Sequence, residues 1–255
     1  MEKSRNTEKI KNIIAVASGK GGVGKSTVAV SLAYALKRKN MKVGLLDADI
    51  YGPSVPLLTG ISGKPAVKDE MMVPLEKDGI KMMSIGFMLK EEDAVIWRGP
   101  MMSNALKQFI NDVSWGELDF LIADLPPGTG DASLTCAQVM GLTGVVIVTT
   151  PQDTAAKIAA KAAAMFKQLN VRISGIIENM AYYSCPECGA KSEIFPGSKT
   201  GPLSGKVDAP LLGRLPVFTG FTGEDGIRIN ESNGQINSEF DKIAIELIKS
   251  IKEGA

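Results

Sequence analysis

A nine-residue run rich in glycine near the amino end constrains the fold of this chain more than any other feature. The run Gly19-Lys-Gly-Gly-Val-Gly-Lys-Ser-Thr27 fits the pattern G-x-x-x-x-G-K-[ST]. Residues 12–18 before it are apolar and read as a buried strand, and residues 28–39 after it carry apolar side chains at helical spacing. Strand, glycine loop and helix in this order bring backbone N–H groups and the positive helix end to one phosphate. The sequence therefore predicts a nucleotide site.

Each part of this loop has an expected role. Lys25 is predicted to reach the β- and γ-phosphates, and the hydroxyl of Ser26 to bind Mg²⁺. Lys20, directly after the first glycine, is an additional lysine that the bare pattern does not require, and a solvated loop lysine is the alternative for it. The predicted nucleotide-binding residues are Gly19, Lys20, Gly21, Gly22, Val23, Gly24, Lys25, Ser26 and Thr27.

Composition narrows the possible functions. The chain has 255 residues, 44% of them hydrophobic, and a formal net charge of +1, so no global field favours nucleic acid or an acidic membrane. The first residues are charged and no apolar signal core follows them, so we expect a cytoplasmic protein whose three cysteines are not structural disulfides. Because the chain has no histidine, acid–base or metal chemistry must use carboxylates, cysteines or water.

Strand-like and helical runs alternate along the chain, which predicts an α/β fold with a doubly wound, mostly parallel sheet flanked by helices. No repeat or low-complexity linker interrupts it, so we expect one domain over residues 1–255. Two segments stand apart: residues 62–90 contain short strand-like pieces, and residues 184–206 resemble a loop. The remaining predicted strands are 42–47, 120–124, 144–150, 172–178 and 210–215, and the remaining helices 103–112, 132–140, 154–169 and 238–252.

Acidic residues end two of the predicted strands. Asp124 closes residues 120–124, which is where a phosphate-loop protein places its second Mg²⁺ ligand, although a helix cap or turn residue is the alternative. The glycine-containing stretch 126–131 follows and is suited to sensing a γ-phosphate. Asp47 and Asp49 end another strand, and the spacing of two predicts both carboxylates on one side, where one orients an attacking water.

These motifs together resemble the MinD/ParA/nitrogenase iron protein class of deviant phosphate-loop ATPases. The loop 19–27 is similar to that of the class, and Asp47-Ala-Asp49 and the run 124–131 are similar to its two switch regions. The resemblance implies that Lys20 crosses a nucleotide-sandwich dimer to the partner's phosphates. It also implies catalytic roles for Lys20, Lys25 and Asp49, a Mg²⁺ role for Ser26 and Asp124, and recognition of adenine by Asn179.

A cysteine pair adds a second kind of chemistry. Ser184-Cys-Pro-Glu-Cys-Gly189 is a tight turn that directs two thiolates at one metal, while a redox dithiol or half of a zinc ribbon are the alternatives. Tetrahedral zinc and a [4Fe–4S] cluster both need four ligands, and the chain has no second such pair. A symmetric dimer would supply Cys185 and Cys188 from both chains. The cysteines alone do not distinguish zinc from iron.

The phosphate loop and the cysteine pair together resemble those of the Mrp/ApbC branch of this class, the ATP-binding iron–sulfur cluster carriers. The similarity extends from Asn12 to the end and includes Trp97-Arg-Gly-Pro-Met101 and Glu178-Asn-Met180. It implies a homodimer that binds ATP and Mg²⁺, hydrolyses ATP slowly, holds a bridging [4Fe–4S] cluster and passes it to apo-proteins. Residues 195–202 depart from the glycine- and alanine-rich segment common in bacterial members.

Other functions and roles stay open at this stage. A spatial regulator like MinD or ParA, with structural zinc at the cysteine pair, is the main alternative. However, the carboxyl-terminal segment mixes acids with lysines and reads as a packed surface helix rather than a membrane anchor. An electron-transferring ATPase or a hetero-oligomer with a related chain is also open. Cys136 is expected to be a buried, inert thiol in a helix, and the seven methionines in residues 71–102 are expected to fill the core more than to bind clients.

Overall fold

The structure is a computed structural model that describes residues 8–88, 99–185, 187–195, 198, 200–217, 222–223, 226–227 and 234–254. Trp97, Arg98, Pro186 and parts of the segment 195–202, all singled out from the sequence, lie outside these residues. The strands are β1 (Ile10–Ser18), β2 (Val43–Asp47), β3 (Ala66–Lys68), β4 (Met71–Val73), β5 (Leu75–Lys77), β6 (Ile80–Ser84), β7 (Leu118–Asp124), β8 (Gly144–Thr149), β9 (Ile173–Ser184), β10 (Lys191–Ser192), β11 (Leu211–Val217), β12 (Thr222–Gly223) and β13 (Gly226–Ile227). The helices are α1 (Lys25–Arg38), α2 (Val55–Thr59), α3 (Gly99–Asn111), α4 (Asp131–Val139), α5 (Asp153–Gln168), α6 (Thr200–Val207) and α7 (Gly234–Glu253), and a 3-10 turn spans Ile85–Phe87.

One sheet organises the fold. Its order is β10-β9-β8-β1-β7-β2-β6-β5, and β11 pairs with β9 beside this path. The pairs among β6, β2, β7, β1, β8, β9 and β11 are parallel, and only β5 and β10 join antiparallel. The predicted mostly parallel sheet is confirmed. Since parallel strands end at the same edge, the functional loops after β1, β2, β7 and β8 meet there.

Helices cover both faces of the sheet, as predicted for a doubly wound fold. Alternate residues of β1 face opposite ways: Ile13 and Ala15 belong to the core under α3, α4, α5 and α6. Ile14 and Val16 belong to the core under α1, α2 and α7. This alternation follows from the two-residue period of a strand, and burial on both faces explains why β1 reads as a continuous apolar run.

The last helix packs on the protein as the sequence predicts. Phe240, Ile243 and Leu247 on one face of α7 are buried in the core that α1 shares. Asp241 accepts ion pairs from Arg38 at 2.8 Å and from Lys39 at 3.1 Å, which fasten α7 to the end of α1. None of the helices that the structure describes is both long and apolar enough to cross a membrane.

Two predictions that rested on composition concern residues 184–206 and the methionines of residues 71–102. The loop-like assignment of residues 184–206 is wrong at its end, because α6 begins at Thr200 and buries Leu203 and Val207 one turn apart. Early glycine and proline residues hide this helix, yet proline is compatible with a first turn. The methionine-containing stretch does mainly fill the core: Met82, Met83 and Met102 are buried, Met72 and Met88 pack against the core, and Met101 is exposed.

Candidate nucleotide and metal sites

The glycine loop has the backbone shape that a phosphate site needs. Gly22 and Gly24 have φ values of +78° and +80°, a region that residues with a side chain rarely adopt. A Cβ on Gly24 would lie 2.3 Å from the side-chain nitrogen of Asn179. By contrast, no described atom lies within 4 Å of a Cβ placed on Gly21 or Gly22. The loop is thus open at Gly21 and Gly22 and tightly packed where Gly24 meets β9 and where Gly19 meets Ile158 of α5.

A buried ion pair lies under this loop. Lys25 Nζ is 2.5 Å from Asp124 Oδ1, and the side chains are 6% and 0% exposed. Lys25 begins α1, and Asp124 ends β7, which pairs with β1 in register Val16–Asp124. Lys25 also donates to the Ser26 hydroxyl at 3.2 Å. Asp124 therefore neutralises the lysine predicted to bind phosphate.

One carboxylate oxygen of Asp124 is suited to bind a cation. Its second oxygen, Oδ2, is buried and accepts no hydrogen bond from any residue that the structure describes. Burial raises the pKa of Asp124, and the charge of Lys25 opposes that rise. A buried, unsatisfied carboxylate oxygen beside a serine hydroxyl is a fitting donor set for Mg²⁺, which prefers oxygen ligands and completes its shell with phosphates and water.

Two further carboxylates surround this pair, with different environments. Asp47 is fully buried and accepts hydrogen bonds from the Val55 amide at 3.1 Å and the Ser84 hydroxyl at 3.0 Å. Burial, together with the nearby Asp124 charge, raises the pKa of Asp47 to about 7. Asp49 is 9% exposed; burial raises its pKa, while Lys25 opposes the rise. Asp47 thus anchors the start of α2, and Asp49 is the more accessible of the two.

Lys20 is held within its own chain. Its ammonium donates to the Gln152 side-chain oxygen at 3.1 Å, across the loops that follow β1 and β8. The hydroxyl of Thr150, two residues earlier, is buried with no partner among the described residues. Sequence reasoning missed Gln152 and Thr150. The sequence does place both residues directly after a buried strand, and that strand ends at the edge of the sheet where the phosphate loop begins.

Asn179, predicted to recognise adenine, adjoins the phosphate loop. Its side-chain amide donates to the Val23 carbonyl at 2.9 Å. It also lines a cavity of about 160 Å³ with Gly24, Thr27, Val28, Met180, Pro216, Val217 and Phe240. The cavity is mostly apolar and lies at the start of α1, which suits a planar base next to a bound phosphate chain.

The cysteine pair lies at the far end of the strand that carries Asn179. β9 and β10 form an antiparallel hairpin with Ser184 opposite Lys191, and the cysteines lie in its connecting turn. The turn is closed by Cys185 N–H to the Ala190 carbonyl and Gly189 N–H to the Cys185 carbonyl, both 2.9 Å. Hydrogen bonds from the Cys188 and Glu187 amides lower the pKa of the Cys185 thiol.

These thiols fit a metal shared with another set of ligands. Cys185 is partly exposed and Cys188 is exposed, so both are accessible, and neither is in a disulfide. Within the described residues, no group of three or more histidine, cysteine or acidic side chains is placed to hold a metal. Two accessible thiols, of which Cys185 accepts amide hydrogen bonds, are donors for a soft metal, and they leave half of a tetrahedral shell open.

The third cysteine belongs to neither site. Cys136 is fully buried in α4, as the sequence predicts. Burial raises its pKa to about 12, and the Asp49 carboxylate contributes to the rise. A thiol with this pKa is unreactive at neutral pH.

The structure therefore assembles two centres from the predicted residues. The first centre lies at the phosphate loop and contains Lys25, Ser26, Asp49 and Asp124. Lys20 lies at the rim of the loop, and Asn179 lies on its β9 side. Cys185 and Cys188 lie elsewhere, in the hairpin beyond β9.

The fold and the phosphate loop together define a P-loop NTPase of the MinD/ParA class. A family described as "ParA: NUBPL iron-transfer P-loop NTPase" matches residues 9–251. The chain therefore belongs to the NUBPL iron-transfer P-loop NTPase family. This membership confirms the resemblance that the loop and the cysteine pair indicated.

Curated relatives carry names that agree with this family. The chain is 52% identical over 211 residues to an iron-sulfur cluster carrier protein of Aquifex aeolicus, covering 82% of this chain and 58% of the relative. It is 43% identical over 252 residues to the iron-sulfur cluster transfer protein NUBPL of Dictyostelium discoideum, covering 96% and 78%. The chain thus spans little more than half of the Aquifex relative. These names favour the carrier interpretation over the spatial regulator.

Solved structures support the fold. A nucleotide-binding protein of Archaeoglobus fulgidus in complex with ADP is 39% identical, with a TM-score of 0.75 over 94% of this chain and 90% of that one. The cell division ATPase MinD of Pyrococcus furiosus has a TM-score of 0.66 at 23% identity, over 94% and 99%. The second likeness concerns the fold alone.

Proposed function

We propose that this protein is an ATP-binding and ATP-hydrolysing carrier that holds an iron–sulfur cluster in a homodimer and transfers it to apo-proteins. One observation carries the proposal: strand β9 holds Asn179 against the phosphate loop and ends in the turn that presents Cys185 and Cys188. Cys185 follows Asn179 by six positions, which is at most roughly 20 Å of extended strand. The names of the family and the curated relatives support the same activity.

In this proposal the ion pair beneath the loop exchanges partners when nucleotide binds. Lys25 leaves Asp124 and contacts the β- and γ-phosphates, because phosphate oxygens replace the carboxylate as its counter-charge. Asn179 lines the cavity that receives adenine. Asp49 orients the attacking water as the accessible carboxylate of the site. The Archaeoglobus relative with ADP supports nucleotide binding here.

Asp124 and Ser26 are proposed to hold Mg²⁺. Asp124 Oδ2, which has no hydrogen-bond partner among the described residues, and the adjacent hydroxyl provide the oxygen donors. When bound, Mg²⁺ would neutralise charge on the transferred phosphate. Release of Asp124 from Lys25 makes both carboxylate oxygens available at the moment when phosphate arrives.

A homodimer is part of the proposal for two independent reasons. Lys20 is a second loop lysine whose ammonium donates to Gln152 within the part of the chain that the structure describes, and the class resemblance assigns it to the partner's phosphates. The cysteine turn supplies two thiolates, whereas a [4Fe–4S] cluster takes four. A twofold axis near the hairpin satisfies both requirements.

The cluster is cargo in this account. Cys185 and Cys188 of two chains would bind it at the protein surface, where a recipient's cysteines can displace them one by one. ATP binding or hydrolysis gates loading or release. A cytoplasmic location and apo-protein recipients complete the proposal.

Cluster transfer is the direct test. Purified protein is loaded anaerobically, mixed with an apo-protein that takes a [4Fe–4S] cluster, and followed with and without Mg-ATP. We expect transfer from the wild type with a rate that depends on nucleotide, and none from Cys185→Ala/Cys188→Ala, which should still bind ATP. Transfer by the double variant would refute the site. Tightly held zinc without any cluster would favour an ATP-driven switch with a structural metal.

A further inference from the structure

A buried carboxylate on β9 directly precedes Asn179 and belongs to neither centre. Glu178 is fully buried and is paired with Arg214 Nε at 2.5 Å. It also accepts hydrogen bonds from the hydroxyls of Thr200, at 2.5 Å, and Ser198. Arg214 continues the network to Glu193 at 3.0 Å. A fully buried charge of this kind persists only when its partners are in place.

The partners of Glu178 fasten the chain segment that leaves the cysteine turn. Glu193 directly follows β10, and Ser198 and Thr200 lead into α6. Arg214 lies on β11, where it is in register with Glu178 on β9. The segment after the cysteines is therefore linked to Glu178 of β9, directly by Ser198 and Thr200 and through Arg214 by Glu193.

The next residue on β9 faces the nucleotide. Asn179 donates to the Val23 carbonyl of the phosphate loop, while Glu178 faces the opposite side because strand residues alternate. Met180 follows with a φ of +55°, which is rare for a residue with a side chain, and the β11–β9 register is irregular beside it. Glu178, Asn179 and Met180 thus form a bend that contacts the phosphate loop on one side and the cysteine segment on the other.

We propose that Glu178 is a positioning residue that couples occupancy of the phosphate loop to the placement of the cysteine turn. A base bound in the cavity contacts Asn179 and Met180, and a shift of their backbone moves the adjoining carboxylate. The hydroxyls and the guanidinium bound to it follow, and with them the exit of the hairpin. The inference deepens the proposed function and rests on it for the identity of the cargo, but the coupling is testable without any cluster.

Hydrogen–deuterium exchange on the cluster-free full chain is the first experiment. Peptides covering residues 183–193 are compared with and without Mg-ATP in the wild type, Glu178→Gln and Arg214→Gln. We expect nucleotide to change wild-type exchange there by about fivefold or more, and by less than about twofold in both variants. ATP affinity should stay within about threefold of wild type, since neither side chain contacts the cavity. Ser198→Ala, which leaves the charge pair intact, should give an intermediate response.

The matched control breaks an exposed ion pair at the other edge of the sheet. Glu117→Gln removes the partner of Lys42 and should respond to nucleotide as the wild type does. A wild-type response in Arg214→Gln and Ser198→Ala would overturn the inference even if Glu178→Gln fails to fold. A wild-type hairpin that does not respond to nucleotide would overturn it as well.

Cluster transfer then separates this inference from the proposed function. In loaded protein, Arg214→Gln should bring the ratio of transfer rates with and without ATP to within about twofold of one. If the hairpin responds to nucleotide through Glu178 but no cluster is ever loaded, the carrier function fails and the coupling stands.

Discussion

Replacement of Lys25 by methionine isolates the energetic role of the buried ion pair in the nucleotide-free protein. Methionine keeps most of the side-chain volume and removes the charge that lies 2.5 Å from Asp124 Oδ1. At that distance two unit charges attract by roughly 7 kcal/mol at an effective dielectric constant of about 20. Much of this attraction offsets the cost of burying both ions, and loss of one partner from a buried pair typically costs about 3–5 kcal/mol. We expect a loss of that size at pH 7.

The loss should depend on pH in a defined direction. Without Lys25, Asp124 remains buried beside Asp47 with no cation to oppose the rise of its pKa. The folded variant then binds more protons than its unfolded state between about pH 4 and neutrality, so its stability falls as the pH rises. The gap between wild type and variant should widen by up to about 2 kcal/mol from pH 5.5 to 7, at about 1.4 kcal/mol per pH unit.

Urea unfolding followed by circular dichroism at several pH values measures this gap without nucleotide. Lys42→Met is the control, because it removes an equally charged side chain from an exposed pair with Glu117 and should change stability little. A Lys25→Met variant as stable as the wild type at pH 7 would refute the reasoning. So would a gap that stays constant with pH.

Three further predictions test the loop, the second carboxylate and the extra lysine. Gly24→Ala forces a Cβ to within 2.3 Å of the Asn179 amide at positive φ, so we expect lower thermal stability and at least about tenfold weaker ATP binding, whereas Gly21→Ala should leave stability unchanged. For Asp47, a raised pKa means that its stability contribution declines as the pH rises towards 7. The free energy of unfolding in urea is measured for the wild type and for Asp47→Asn, and the difference between them should fall by up to about 1.4 kcal/mol per pH unit from pH 5 to 7. A difference that does not change with pH would contradict this. Lys20→Gln should abolish ATP-dependent dimerisation in analytical ultracentrifugation while the single chain still binds ATP, and a variant that dimerises normally would remove the role assigned to Lys20.

Local sequence patterns were sufficient for the main architecture. β1, β2 and β7 are continuous apolar runs because both of their faces are covered by helices, and such runs are visible without a structure. The acids Asp47 and Asp124 end two of these strands, and their pairing in register follows from neighbouring parallel strands. The sheet therefore brings together residues that the sequence predicts for a nucleotide site, and their roles in binding stay a prediction.

The features that sequence did not reveal depend on contacts between distant segments. Glu178 joins Ser198, Thr200 and Arg214, which lie 20 to 36 residues away, and no spacing rule connects them. The contact between Lys20 and Gln152 spans 132 residues. Composition also concealed α6, since its glycine and proline residues resemble a loop until the burial of Leu203 is known.

The two carboxylates of the second strand illustrate a further limit. A spacing of two places Asp47 and Asp49 on one side of an ideal strand, yet the strand ends at Asp47. Beyond that point the backbone turns, and Asp47 is used by the Val55 amide and the Ser84 hydroxyl. Which of two acids remains accessible is decided by hydrogen bonds from other segments.

The metal content of the protein after anaerobic reconstitution with iron and sulfide tests the central claim most directly. Iron, sulfide and zinc are measured per dimer, with Cys185→Ala/Cys188→Ala in parallel and Cys136→Ala as the control for a buried thiol outside the site. The account predicts about four irons per dimer in the wild type and the Cys136 variant, and none in the double variant. A cluster retained by the double variant would contradict the assignment of Cys185 and Cys188 as its ligands. A wild type that binds only zinc would contradict the assignment of this protein as a cluster carrier.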